Sequence, residues 1–183
     1  MKSFSPRTLS LTAGALVTAG ALGLAQIERL TLAQMVAKAD NAVAGTITNS
    51  EVIRIDHPID GSELYFTHLT IEGQSLVDGA DLTVVVTFAG GWIDETHGVN
   101  NSEAPAADEI KKGNRVVAFY SWMPNMGGDL AANALYASHG GLYQVVKGRS
   151  GSIVLGKGEG YAVSTNIGLS ELGTQISALA ENK

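Results

Sequence analysis

The chain has 183 residues, 18 acidic against 12 basic side chains, a formal net charge of −6 and no cysteine. Disulfides, thiolate metal sites and cysteine nucleophiles are thereby excluded. The acidic balance argues against nucleic acid, because phosphate binding rests on clustered Lys and Arg.

The first residues, Met1 to Arg7, carry Lys2 and Arg7 and no acid, and Thr8 to Ala25 are free of charge. Ala19-Gly20-Ala21 and Gly23-Leu24-Ala25 are small-residue exits. A basic start, an apolar middle and such an exit predict a signal peptide over residues 1–25, and so export to the periplasm or the exterior. The competing reading is an uncleaved anchor, and only in that case is a membrane a partner. Gly, Ala and Thr dominate the run, and no basic stop-transfer cluster follows it. Removing residues 1–25 makes the body two charges more acidic. Residues 26–183 are long enough for one self-sufficient core and contain no linker or repeat.

Thr31-Leu32-Ala33-Gln34 reads as a capping box, with Leu30 and Met35 at the staple positions, so a short helix is predicted over 32–39. Asp40-Asn41 ends it. The period then falls to two. Val43–Thr48 and Val52–Ile55 read as strands separated by Asn49-Ser50. Leu64–Glu72 is a clean alternation with Tyr65, Thr67, Leu69 and Ile71 on one face. Asp81–Ala89 reads as a central strand and Arg115–Tyr120 as another buried one; 142–147, 152–155 and 161–164 read as shorter ones. Apolar residues at 169, 172, 176 and 179 predict a terminal helix. Strands between two helices, with glycine-rich turns, point to a mostly β, OB-like antiparallel barrel or a sandwich.

From Met35 to Ile47 the chain resembles a group of exported, largely uncharacterised bacterial proteins, which share a short helix, Ala-Asp, an apolar strand and a Gly. The plan continues through Leu64–Glu72, Leu82–Phe88, Gly90-Gly91, Gly113-x-x-Val116-x-x-Phe119 and Tyr143-x-Val145-Val146. It also resembles the netrin-type module of tissue inhibitors of metalloproteinases over roughly residues 30–165. That resemblance implies an OB-like barrel. The inhibitory chemistry of that module uses a disulfide-tied N-terminal cysteine, so it does not transfer to a chain without cysteine.

The chemistry-bearing residues give little. His57, His68, His97 and His139 show no short ligand spacing, so neither a metal nor a cofactor is expected. Asp56-His57 with Asp60 reads as a turn ahead of a loop cation site. Gly148-Arg149-Ser150-Gly151-Ser152 lacks the second Gly of a nucleophile elbow and reads as a hairpin turn.

Two long segments, 90–112 and 122–140, carry the functional expectation. They hold Trp92, Ile93, Trp122, Met123, Met126 and Tyr136, residue types common at contact surfaces. A non-enzymatic module contacting another envelope or secreted protein is therefore predicted. The tryptophans have an alternative role as plugs of the barrel ends, and residues 129–136 as a covering helix. A hydrolase with an acidic site at Asp94, Glu95 and His97 is another class, and a membrane-tethered accessory subunit of a larger complex is the third.

Overall fold

The computed structural model describes residues 29–183; the predicted signal segment, residues 1–25, lies outside them. Helix α1 (Leu32–Lys38) starts on the expected capping box: the Gln34 amide donates to the Thr31 hydroxyl at 3.3 Å, and the Thr31 amide donates to the Gln34 side chain at 2.9 Å. Leu30 and Met35 are both buried beside it. The helix ends at Ala39, and the Asp40 amide donates to the Tyr120 carbonyl at 3.0 Å, leading the chain into the sheet.

The sheet comprises β1 (Asn41–His57), β2 (Gly61–Ser75), β3 (Asp81–Ala89), β6 (Arg115–Met123), β7 (Ala132–Leu135), β8 (Leu142–Gly148), β9 (Gly151–Val154) and β10 (Ile167–Gly168). Two short strands, β4 (Gly91–Trp92) and β5 (Gly98–Val99), form a separate ribbon, and helix α2 (Leu169–Ala180) follows β10. β1, β2, β3, β7 and β6 pair in that order, and β6 pairs back onto β1 to close a five-stranded barrel. Every pairing is antiparallel except the short β3–β7 contact. The barrel, not the sandwich, is the outcome. Asn49-Ser50 does not break β1; a bulge between Ile47 and Asn49 keeps it continuous and bends it round the barrel.

Gly45 and Gly73 face each other across β1 and β2. A Cβ on either would run into the opposing backbone, at Glu72 O and Ala44 O respectively. These glycines are what allow the two strands to approach so closely.

Three predicted elements are corrected. Residues 122–140 are not a loop: Trp122 and Met123 end β6, and Ala132–Leu135 is strand, not helix. β7 forms because the barrel edges of β3 and β6 need a partner there, which overrides the weak strand propensity of Ala and Asn. Tyr161–Ser164 is not a strand either. It folds back on Lys157 and Gly158, whose amides donate to the Val163 and Ser164 carbonyls at 3.0 Å each.

One edge of β6 meets β1, while its other edge is divided between β7 at Tyr120–Met123 and β8 at Val116–Ala118. Its alternation feeds two cores. Val116, Ala118 and Tyr120 point into the barrel with Ile47, Leu69 and Val86. Val117 and Phe119 point outward into a second core with Met35, Tyr143, Leu172 and Ile176, and α1 and α2 supply its far side. Phe119 and Tyr143 meet edge to face, ring centroids 6.2 Å apart. The Tyr143 hydroxyl accepts from the Val163 amide at 3.3 Å, and burial pushes its pKa up to about 12. Among the described residues, no helix is long and apolar enough to cross a membrane.

His68 lies on the outer face of β2, with Nδ1 2.7 Å from the Thr87 hydroxyl. Burial lowers its pKa from 6.5, opposed by the charge of Glu51. The folded protein thus holds fewer protons here than the unfolded chain, and stability falls as pH drops below 6.5. Urea midpoints measured at about pH 7.5 and about pH 5.5 should fall less in H68Q than in the parent. Equal falls would remove His68 from the pH dependence.

Candidate functional site

The β1–β2 hairpin runs past the barrel, and its tip is built from charged residues. Arg54 pairs with Asp56 at 3.0 Å and with Glu63 at 3.2 Å. The Asp56 carboxylate also accepts the Glu63 amide at 2.9 Å, and that bond is the main cause of its lowered pKa, ahead of Arg54. The Asp60 amide donates to His57 Nδ1 at 3.0 Å, so the ring proton sits on Nε2 and donates to Asp129 at 3.2 Å. Gly128 closes the contact from the β6–β7 loop, its amide donating to Asp60 at 2.8 Å. Gly128 has φ +60, and a Cβ there would lie 2.8 Å from the Ile55 side chain. Only glycine lets this loop lie flat on the hairpin.

His57, Asp60 and Asp129 therefore form a clasp and not a metal site. The Asp60 carboxylate lies on the Nδ1 side of the ring, 3.4 Å away, and that of Asp129 on the Nε2 side, so the three do not converge on one ion. Among the described residues, no group of three or more metal-binding side chains is assembled.

Between the clasped loops and the segment after β5 lies an open cleft of about 590 Å³. Its apolar lining comes from Leu64, Phe66, Val99 and Met126; Asp60 and Glu63 stand beside it. Phe66 and Leu64 are reached because β2 continues beyond the barrel, and Met126 because its amide bonds the Leu130 carbonyl at 2.8 Å and fixes the loop. A larger groove, about 960 Å³, runs beside α2. Small residues of α2 line it, and its Arg115 is already bonded to Ser152 at 2.8 Å.

The other end of the cleft is shaped by the β4–β5 ribbon. The Gly90 amide donates to the Tyr65 carbonyl and the Thr67 hydroxyl donates to the Gly90 carbonyl, each at 2.7 Å. Gly91 packs so closely on Val52 and Thr67 that a Cβ would lie 2.8 Å from the valine. The Gly90-Gly91 backbone thus covers this part of the barrel, and the tryptophans do not. Trp92 is 53 % exposed and Trp122 57 %, which corrects the plug reading. Ile93 and Met123 are exposed as well. Of the six predicted contact residues, Met126 alone lines the cleft, and Val99 joins the cleft to the ribbon that carries Trp92 and Ile93. Tyr136 faces inward, packed against the helix-side core.

The sequence reading missed Ile59, which is 87 % exposed at the hairpin tip. Its signal was an isoleucine inside Pro58-Ile59-Asp60-Gly61, a turn in which an apolar side chain has nothing to pack against.

The acidic triplet behaves as a turn. Asp94 accepts from the amides of Thr96 and His97 at 2.8 and 2.9 Å and lies 2.8 Å from His97 Nδ1. The Thr96 amide bond leads in holding its carboxyl well below the usual range, followed by the His97 ring. Both side chains are about half exposed, at 52 % each. That is a solvated setting, without the low dielectric that strengthens acid–base catalysis.

Compared with known families, curated proteins and solved structures, the chain finds no match in any of the three.

Proposed function

We propose that this protein is a non-enzymatic binding or assembly module that is exported and contacts another envelope or secreted protein through its barrel-mouth cleft. The observation that carries this reading is the apolar cleft of about 590 Å³ beside Ile59, with Trp92, Ile93 and Val99 exposed on the adjoining ribbon. Scattered single apolar residues need no explanation on a protein surface, but a pre-formed apolar concavity rimmed by polar groups is a contact feature. In five-stranded barrels of this kind, the outer face of the second and third strands and the loops flanking it commonly bind ligands.

Export rests on the sequence of residues 1–25. A kinship with netrin-type modules concerns architecture alone, because the chain has no cysteine. The hydrolase alternative has the Asp94–His97 contact in its favour, and the turn hydrogen bonds account for that contact fully.

Placing a photo-crosslinking residue at position 126 tests the reading in cells of the native host. A discrete adduct with one exported protein is expected from position 126 and not from the solvent face of α2 at position 175. Equal adducts from both positions, or none from 126, would defeat it. Edman sequencing of the mature protein should begin after Ala21 or Ala25; an intact Met1 would end the cleaved-signal reading.

A further inference from the structure

We infer that the occupant of the cleft is a short segment of a protein partner in which a bulky apolar side chain is flanked by lysine or arginine. This rests on the binding reading above and adds the chemistry of what is bound.

The cleft divides into two parts with different demands. Its floor is Leu64, Phe66 and Met126, which favours a large apolar side chain and offers a polar one no compensation for lost water. Its rim is negative on the hairpin side, where Asp60 and Glu63 line it, and neutral opposite, at Asn100, Asn101 and Ser102. Asp56, Asp60, Glu63 and Asp129 stand around the hairpin tip and its clasped loop, and Arg54 is the cation that faces them. Four carboxylates are thus gathered round one guanidinium. Arg54 is held between Asp56 and Glu63. Asp129 remains open, its side chain 79 % exposed, and Asp60 is 39 % exposed.

A rim of this sign repels an acidic segment and attracts a basic one, while the floor sets the requirement for the apolar anchor. The net charge of −6 acts in the same direction at long range. The clasp matters because it fixes both walls before binding. Asp60 is held by Gly128 and Asp129 by His57, so little ordering remains to oppose association.

The test uses the purified full chain and three sets of fluorescein-labelled synthetic hexapeptides. In one set, phenylalanine or leucine is flanked by lysines; in the next, the same anchors are flanked by glutamates; in the last, the lysine frame carries alanine as anchor. Fluorescence anisotropy should show saturable binding of the lysine–apolar set alone, weakening as salt is raised. M126E should abolish it. E63Q combined with D129N, which keeps amide oxygens in place of carboxylates, should raise Kd about tenfold. Far-UV circular dichroism of both variants should match the parent, and a second floor variant, L64A, serves if M126E fails to fold.

Equal binding of the glutamate set would overturn the inference while leaving the cleft as a contact site. Binding of the alanine set as tight as that of the apolar set would overturn it too, since the floor would then play no part. Binding unchanged in both M126E and L64A, or no binding by any set, would likewise refute it. The crosslink from position 126 is scored independently, so failure of the peptide chemistry and failure of the contact reading remain distinguishable.

Discussion

G73V should leave little folded protein under conditions in which the parent is fully native. The substitution places a branched side chain where even a Cβ would strike the Ala44 carbonyl and approach Gly45 Cα. Both obstacles are backbone, so no rotamer relieves them. β1 and β2 would have to separate at the Gly45–Gly73 pair, the third from one end of the longest pairing in the sheet. Overpacking of a well-packed site costs about 1–3 kcal/mol and occasionally more, and a backbone collision belongs at the upper end. G73A should show a smaller loss in the same direction. Denaturant midpoints measured at matched slope decide the matter, and a midpoint for G73V within error of the parent would refute the close-approach account.

F119A should lower stability by about 3–5 kcal/mol, the range for truncating a fully buried aromatic residue. Phe119 has no exposed surface, and its edge-to-face partner Tyr143 would lose a wall of its own pocket. Val163, whose amide is held by the Tyr143 hydroxyl, would be loosened in turn. F119L keeps most of the volume and should recover more than half of the loss. A loss below about 1 kcal/mol for F119A would mean that the helix-side core does not depend on this ring.

The difference between these sites and the misread segments lies in what each residue type reveals locally. Leu64–Glu72 alternates because one face is inside the barrel: Tyr65, Thr67, Leu69 and Ile71, which share a face in the sequence, are all buried, and Phe66 is buried on the other face. A glycine inside a strand run, as at Gly45, is a legible sign of a bend or a close approach, whereas its pairing with Gly73 is not legible, since register is a property of the folded pair. Ala132-Asn133-Ala134-Leu135 has weak strand propensity and becomes a strand through the unpaired edges on either side of it. Tyr161–Ser164 has the alternation of a strand, but a side-chain hydroxyl takes the Val163 amide that a neighbouring strand would need.

The candidate site was less legible still. Met126, Trp92 and Ile93 were singled out by residue type, and only Met126 lines the cleft. The clasp joins His57 to Asp129, separated by 72 positions, and Asp60 to Gly128, separated by 68. No local spacing carries such information. Ile59 was readable in principle, as an apolar residue in a turn that gives it no neighbour.

β6 also bears on how the molecule comes apart. Its successive side chains serve two different cores, and one of its edges is shared between the barrel and the outer strands. Detaching the outer strands would uncover the edge of β6 that the barrel core relies on, and opening the barrel would strip the support from Phe119. No partial unfolding has a boundary that spares both halves. Residues 29–183 should accordingly behave as one cooperative unit, in which the helix-capped layer and the barrel are lost together.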